Sequence, residues 1–163
     1  MEQPFTHSGT RDPAPSPREQ ENAALARQAA AAGIVLLKNR GVLPLNPGAP
    51  VALFGAGAGR TVKGGTGSGD VNNRASVSIW QDLKGAKAAL YVISRIAGEG
   101  KDRRLEPGDY YLSDAETELI TRVAAKFDKV IVVLNVGAVT DTSWINEIPG
   151  VDAVLVGWQA GME

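Results

Sequence analysis

The chain has 163 residues, 44% of them hydrophobic, which is enough for one compact domain but short for two. Its 17 lysines and arginines nearly balance 18 aspartates and glutamates, so the net charge of −1 creates no field that would gather nucleic acid or an acidic membrane. Because it has no cysteine, the chain can form neither a disulfide framework, nor a thiolate nucleophile, nor a cysteine-ligated zinc site.

Residues 1–17 predict an extended or disordered arm, because they contain four prolines and few large apolar side chains. The single histidine, His7, lies in this arm without a second ligand or partner base, so we assign it no role. The start of the chain lacks a basic region followed by an apolar stretch, so we expect no secretory signal and a cytoplasmic protein. No apolar run approaches the roughly 20 residues that cross a bilayer. We therefore expect one domain over residues 18–163.

A helix is predicted directly after the arm. Ser16 and Pro17 are typical of an N-cap and a first helical position, and residues 18–32 are rich in alanine, glutamate, glutamine and arginine. Residues 34–37 are expected to continue the apolar face of this helix until the basic residues and Gly41 end it.

Four apolar runs predict strands, at residues 51–54, 88–94, 129–135 and 152–156. The runs are nearly unbroken, which is typical of strands covered on both faces in a parallel sheet. Helices are predicted between them at residues 76–84 and 113–127, the second with a capping box at its start. The alternation predicts an α/β fold: one domain with an open, mostly parallel sheet and helices on both faces.

A glycine-rich loop follows the first of these strands, from Gly55 to Asp70. A dinucleotide fingerprint would require glycine where Arg60 stands, and a phosphate-binding P-loop would require serine or threonine directly after Lys63. Two interpretations remain. The stretch is either a flexible surface loop or a loop that lets backbone, Ser68 or Asp70 approach a sugar closely.

The second unusual loop contains Glu99 between Gly98 and Gly100, after the strand that ends near residue 94. A carboxylate flanked by glycines can project into a cleft and reach a glycosidic oxygen. From the residues alone, a solvated loop charge is the favoured interpretation.

Four segments together carry a family resemblance. In order they are Val35 to Asn39 with Leu43 to Leu45, Gly64 to Gly69, Gly98 to Gly100 with Asp102 and Arg103, and Trp158 to Glu163. This ordered set resembles the C-terminal α/β-sandwich domain of family 3 glycoside hydrolases. It is most similar to the β-glucosidases in which this domain precedes a (β/α)₈ barrel.

The resemblance implies a retaining β-glycosidase, which releases terminal sugars with two carboxylates about 5 Å apart. In this family the nucleophile is an aspartate on the barrel and the acid/base is a glutamate on the sandwich domain, which corresponds to Glu99. Candidate substrate-binding residues are Ser68, Asp70 and Arg103, although holding the loop in place is the favoured role for Asp102 and Arg103. Neither a metal nor a cofactor is expected. Without the barrel, the chain alone should not turn over a glycoside.

The basic residues near Glu99 favour its charged form, whereas a general acid must be protonated. They are Lys101, Arg103 and Arg104. The opposing effect must come from the charge of the barrel aspartate and from desolvation when a sugar fills the cleft.

The chain also departs from the family pattern. The connection between the helix that includes Trp80 and the strand at residues 88–94 is shorter than in the family. The three tryptophans, Trp80, Trp144 and Trp158, are predicted to pack in the core instead of stacking on sugars. Two alternatives stay open: a noncatalytic module that binds carbohydrate or packs against another domain, and a nucleotide-binding α/β domain.

Overall fold

The computed structural model describes residues 14–67, 85–98, 103–159 and 161, and all structural statements below concern these residues. Four predictions therefore lie outside the described residues: most of the N-terminal arm, the helix at 76–84, the core position of Trp80, and the positions of the side chains of Ser68, Asp70, Glu99 and Asp102.

Helix α1 spans Pro17–Gly33, as predicted. Ser16 caps it: the Ser16 hydroxyl accepts a hydrogen bond from the Glu19 amide at 3.2 Å, and the Glu19 carboxylate accepts one from the Ser16 amide at 2.8 Å. None of the residues of α1 is buried. Local capping and helix propensity, more than packing, therefore define this helix.

The prediction that residues 34–37 continue the helix is wrong. Ile34 is already extended, and strand β1 runs over Val35–Asn39, where it pairs antiparallel with the last strand of the sheet. Ile34 and Val35 are β-branched and lose little by leaving the helix, and the strand gains backbone hydrogen bonds along an open sheet edge. The Asn39 side chain ends the strand by accepting hydrogen bonds from the amides of residues 41–43 at 3.0 to 3.2 Å.

Among the described residues, the sheet has five strands in the order β1-β5-β4-β3-β2. The other four are β2 (Val51–Phe54), β3 (Ala88–Arg95), β4 (Lys129–Val136) and β5 (Ala153–Val156). Strands β2 to β5 are mutually parallel, and β1 is antiparallel to β5. The prediction of a single-domain, open and mostly parallel α/β sheet is confirmed.

Helices cover the two faces of the sheet. Helix α3 (Asp114–Ala124) buries Ile120 and Val123 on one face, together with the short helix α4 (Trp144–Glu147). Helix α2 (Ala56–Gly59) lies on the other face, so close that a Cβ atom on Gly57 would be 2.6 Å from Val92 Cγ1. No helix among the described residues is long and apolar enough to cross a membrane.

Helix α3 begins as its capping box predicts, with the Ser113 hydroxyl and the Glu116 carboxylate bonded to each other's backbone amides. It ends three residues before the predicted end. Trp144 is 5% exposed in the core, as expected.

Candidate active site

The carboxyl ends of the four parallel strands lie along one edge of the sheet, and the loops that follow them begin at Gly55, Ile96, Gly137 and Gly157. In open α/β sheets, ligands bind in the crevice beyond this edge. Three of these loops are joined to one another by hydrogen bonds and close backbone contacts.

Asn135, near the end of β4, is the centre of this network. Its side chain is buried, with the residue 4% exposed, and its Oδ1 atom accepts from the Val62 amide at 2.6 Å and from the Ser94 hydroxyl at 2.8 Å. Its Nδ2 atom donates to the carbonyls of Val62 and Trp158, both at 2.7 Å. All four hydrogen-bonding positions of the amide are therefore used. Sequence reasoning missed Asn135, although a lone amide inside an apolar strand was the available signal.

The two glycine-rich motifs meet at this edge. Thr66 and Gly98 form a parallel β-bridge. A Cβ atom on Gly98 would overlap the Thr66 side chain, and one on Gly65 would lie 2.8 Å from the Ala97 carbonyl oxygen, so the approach requires glycine at both positions. In the sequence, Ser68 follows Thr66 by two residues and Glu99 follows Gly98 by one.

The prediction that Trp158 packs in the core is wrong. This residue lies in the loop after β5. It is 43% exposed with a φ angle of 54°, and its indole nitrogen donates to the Gly33 carbonyl at 2.8 Å. The bond from Asn135 to the Trp158 carbonyl fixes the backbone in this turn, which aims the ring outward, against the end of α1. The same loop reaches the glycine-rich loop through a hydrogen bond of 2.9 Å from the Gly161 amide to the Lys63 carbonyl.

Arg95, the last residue of β3, forms a bidentate ion pair with Glu116 on α3. The two nitrogen-to-oxygen distances are 2.8 and 2.6 Å, and the Arg95 Nε atom also donates to the Asp109 carbonyl at 3.2 Å. Burial alone would raise the pKa of Glu116, but the hydrogen bonds from Arg95 and Ser113 outweigh it and hold the pKa below its usual value. Glu116 therefore stays ionised and anchors the end of β3 to α3.

Arg103 follows the segment that contains Glu99. Its Nη1 atom donates to the Ile96 carbonyl at 3.1 Å and to the Asp109 carboxylate at 3.0 Å, and its side chain is only 8% exposed. The Arg104 amide also donates to Asp109, and these bonds lower the pKa of Asp109. These contacts agree with the loop-holding role expected for Arg103. Direct contact between Arg103 and a sugar stays a prediction.

The structure thus brings together the segments that lead to the sequence-predicted residues and fixes one of them, Arg103. In the described part of the chain, no three histidine, cysteine, aspartate or glutamate side chains lie close enough to hold a metal ion.

A mostly parallel sheet with helices, whose glycine-rich loops meet at its carboxyl edge, is the architecture of an α/β-sandwich domain. The family model of the glycosyl hydrolase family 3 C-terminal domain matches residues 34–88 and 83–163, which is most of the chain. This chain belongs to that family.

The relatives agree with this assignment. Beta-glucosidase A of Butyrivibrio fibrisolvens is 32% identical over 215 residues, which covers 88% of this chain and 26% of the relative. Beta-glucosidase of Ruminococcus albus is 30% identical over 184 residues, which covers 81% of this chain and 19% of that relative. Among solved structures, beta-glucosidase 3B of Thermotoga neapolitana in complex with glycerol has a TM-score of 0.81 and 35% identity, and covers 91% of this chain and 28% of that one. The chain therefore spans between about a fifth and little more than a quarter of the length of these proteins.

The comparisons also agree with the short connection expected before β3. The alignment with the Butyrivibrio protein is 215 residues long yet covers 88% of 163 residues, so about a third of it has no counterpart here. The match to the family model is divided at residues 83–88, directly before β3.

Proposed function

We propose that this chain supplies the acid/base carboxylate of a retaining β-glycosidase of the β-glucosidase type, and that Glu99 is this residue. The substrate would be a carbohydrate with a terminal β-linked sugar, and the nucleophilic aspartate would belong to a (β/α)₈ barrel domain. Family membership and the printed names of the relatives support this class of reaction.

One observation carries the choice of Glu99, namely the bridge between Thr66 and Gly98 at the carboxyl edge of the sheet. Ligands of open α/β sheets bind beyond this edge, and Glu99 is the next residue after Gly98 in the sequence, which supports Glu99 as the acid/base. Ser68 and Asp70 follow Thr66 closely in the sequence and are proposed to line the same cleft.

The electrostatic surroundings are compatible with a general acid. Arg103 contacts the Asp109 carboxylate, and Arg104 contacts Glu106 at 2.8 Å. Each of these two positive charges therefore has a negative partner, so together they favour the charged form of Glu99 less than the sequence alone suggests. The barrel aspartate and a dry, sugar-filled cleft would then favour the protonated acid.

In the first step, protonated Glu99 would give its proton to the leaving-group oxygen while the aspartate attacks the anomeric carbon and the glycosidic bond breaks. In the second step, ionised Glu99 would take a proton from water as the water oxygen attacks the anomeric carbon and releases the aspartate.

A chimera tests this proposal. The part of Thermotoga neapolitana beta-glucosidase 3B that aligns with this chain is replaced by this chain, and hydrolysis of aryl β-glucosides is measured once circular dichroism has confirmed folding. We expect Glu99→Gln to lower kcat/KM for poor leaving groups by about 10²- to 10⁴-fold and to affect a dinitrophenyl glucoside far less. Azide should partly restore turnover, because it attacks the glycosyl-enzyme without needing a base.

Glu118→Gln is the matched control, because Glu118 is an exposed carboxylate on α3 that pairs with Arg122 and not with the basic residues near Glu99. It should leave both substrates unaffected. A folded chimera without hydrolysis, or equal rates for Glu99→Gln and the parent, would contradict the proposal and favour a noncatalytic module.

A further inference from the structure

Arg103 closes the segment that contains Glu99. Its Nη1 atom reaches back to the carbonyl of Ile96, seven residues earlier, at 3.1 Å. Ile96 and Arg103, which flank this segment in the sequence, are thereby bonded to each other near the bridge of Gly98 with Thr66.

The partner of Arg103 is itself held by the scaffold. Asp109 binds Arg103 through its Oδ1 atom and the Arg104 amide through its Oδ2 atom, at 3.0 and 3.1 Å. The carbonyl of Asp109 accepts from Arg95, which is paired with Glu116 on α3. The clamp is therefore connected to β3 and α3, the rigid elements of the domain, and this is what holding a catalytic group within a fraction of an ångström requires.

Two further donors of Arg103, Nε and Nη2, are buried and have no hydrogen-bond partner in the described part of the chain. Together they form the edge with which arginine binds two oxygen atoms side by side. Arginine keeps its charge under all ordinary conditions, so an acceptor is the only way to satisfy this edge. The clamp thus has capacity for an oxygen-bearing group beyond Ile96 and Asp109.

We propose that Arg103 is a positioning residue for the acid/base reaction: through Ile96 and Asp109 it sets the place of the segment containing Glu99, and its second edge binds a carboxylate or carbonyl of the assembled reaction centre. This inference rests on the proposed function of Glu99. It differs from a sugar-binding role because Arg103 acts through the loop and not on the substrate.

The test compares three forms of the same chimera: the parent, Arg103→Ala and Arg103→Lys. For each, kcat/KM is measured with a poor leaving group, such as methyl β-glucoside, and with a dinitrophenyl glucoside that needs little protonation. We expect Arg103→Ala to reduce the first by about 10²-fold, the effect of misplacing a catalytic group by about 1 Å, and the second only slightly. Lysine keeps the charge but lacks the planar fork, so Arg103→Lys should give a smaller change of the same kind.

Arg122→Ala is the matched control, because the Arg122 side chain is 66% exposed on α3, where it pairs with Glu118 and not with the clamp. It should leave the ratio between the two substrates unchanged. If Arg103→Ala does not fold, Arg103→Lys decides the comparison.

The outcomes separate the possible roles. An equal loss for both substrates in the folded Arg103 variants would indicate a merely structural arginine and overturn the inference. A raised KM with unchanged kcat would indicate direct sugar binding and also overturn it. If Glu99→Gln shows no dependence on the leaving group, the proposed function fails and the inference with it. If Glu99→Gln shows this dependence on the leaving group but the Arg103 variants do not, the inference fails and the proposed function stands.

Discussion

Asn135 is the residue whose replacement should most disturb the carboxyl edge of the sheet. Its amide makes four hydrogen bonds to three different segments, at 2.6 to 2.8 Å, and Asn135→Ala removes all of them. A neutral intramolecular hydrogen bond contributes about 1 kcal/mol net. Removal of four such bonds therefore lowers the free energy of unfolding by at most about 4 kcal/mol. The backbone groups of Val62 and Trp158 can turn partly to water at this edge, so we expect a loss of about 2–4 kcal/mol in the free energy of unfolding.

Urea denaturation of the chain measures this loss directly. The midpoint should fall while the slope m stays constant, and the melting temperature should drop by about 10 °C for a domain of this size. Asn146→Ala is the matched control, because Asn146 is an exposed asparagine on α4, and it should change stability by less than about 0.5 kcal/mol. A loss below about 1 kcal/mol for Asn135→Ala would refute the view that this amide ties the loops of Val62 and Trp158 to strands β3 and β4.

Two further predictions concern acid stability and the contact between the loops. The pKa values of Glu116 and Asp109 are lowered by folding, so their stabilisation is present above the ordinary carboxyl pKa of about 4 and is lost as pH falls through the lowered values. Urea midpoints measured across this range should fall less steeply with acid in Glu116→Gln than in the exposed control Glu118→Gln, and equal slopes would contradict the assignment. Gly98→Ala should destabilise the chain by about 1–3 kcal/mol, because the new methyl group would overlap the Thr66 side chain. Adding Thr66→Gly should recover part of this loss in the same assay, and strictly additive losses would contradict the contact.

Much of the fold could be predicted from local patterns. Ser16 and Ser113 mark the helix starts because an N-cap needs only its own side chain and the next turn of backbone. The nearly unbroken apolar runs predict strands buried in a parallel sheet because such strands are covered on both faces. Neither signal depends on distant parts of the chain.

The candidate site was predictable only in part. The glycine pairs around Glu99 and before Ser68 marked the two loops that the structure joins through Thr66 and Gly98. The resemblance of the sequence to the family supplied the role of Glu99, since a carboxylate between glycines is equally compatible with a solvated loop. Asn135 escaped prediction because its four partners come from segments up to 73 residues away in the sequence.

The sequence by itself determined the class of fold, the capped helices, the buried strands and the motifs of the family, because each depends on neighbouring residues or on a spacing within one segment. Only the tertiary structure decided that residues 35–39 form a strand, that Trp158 is exposed, and which groups Arg103 binds. These outcomes depend on which partner is near: a free sheet edge at β5, a carbonyl at the end of α1, and a carboxylate at Asp109. Hydrogen bonds between residues distant in sequence form only once the sheet has brought them together.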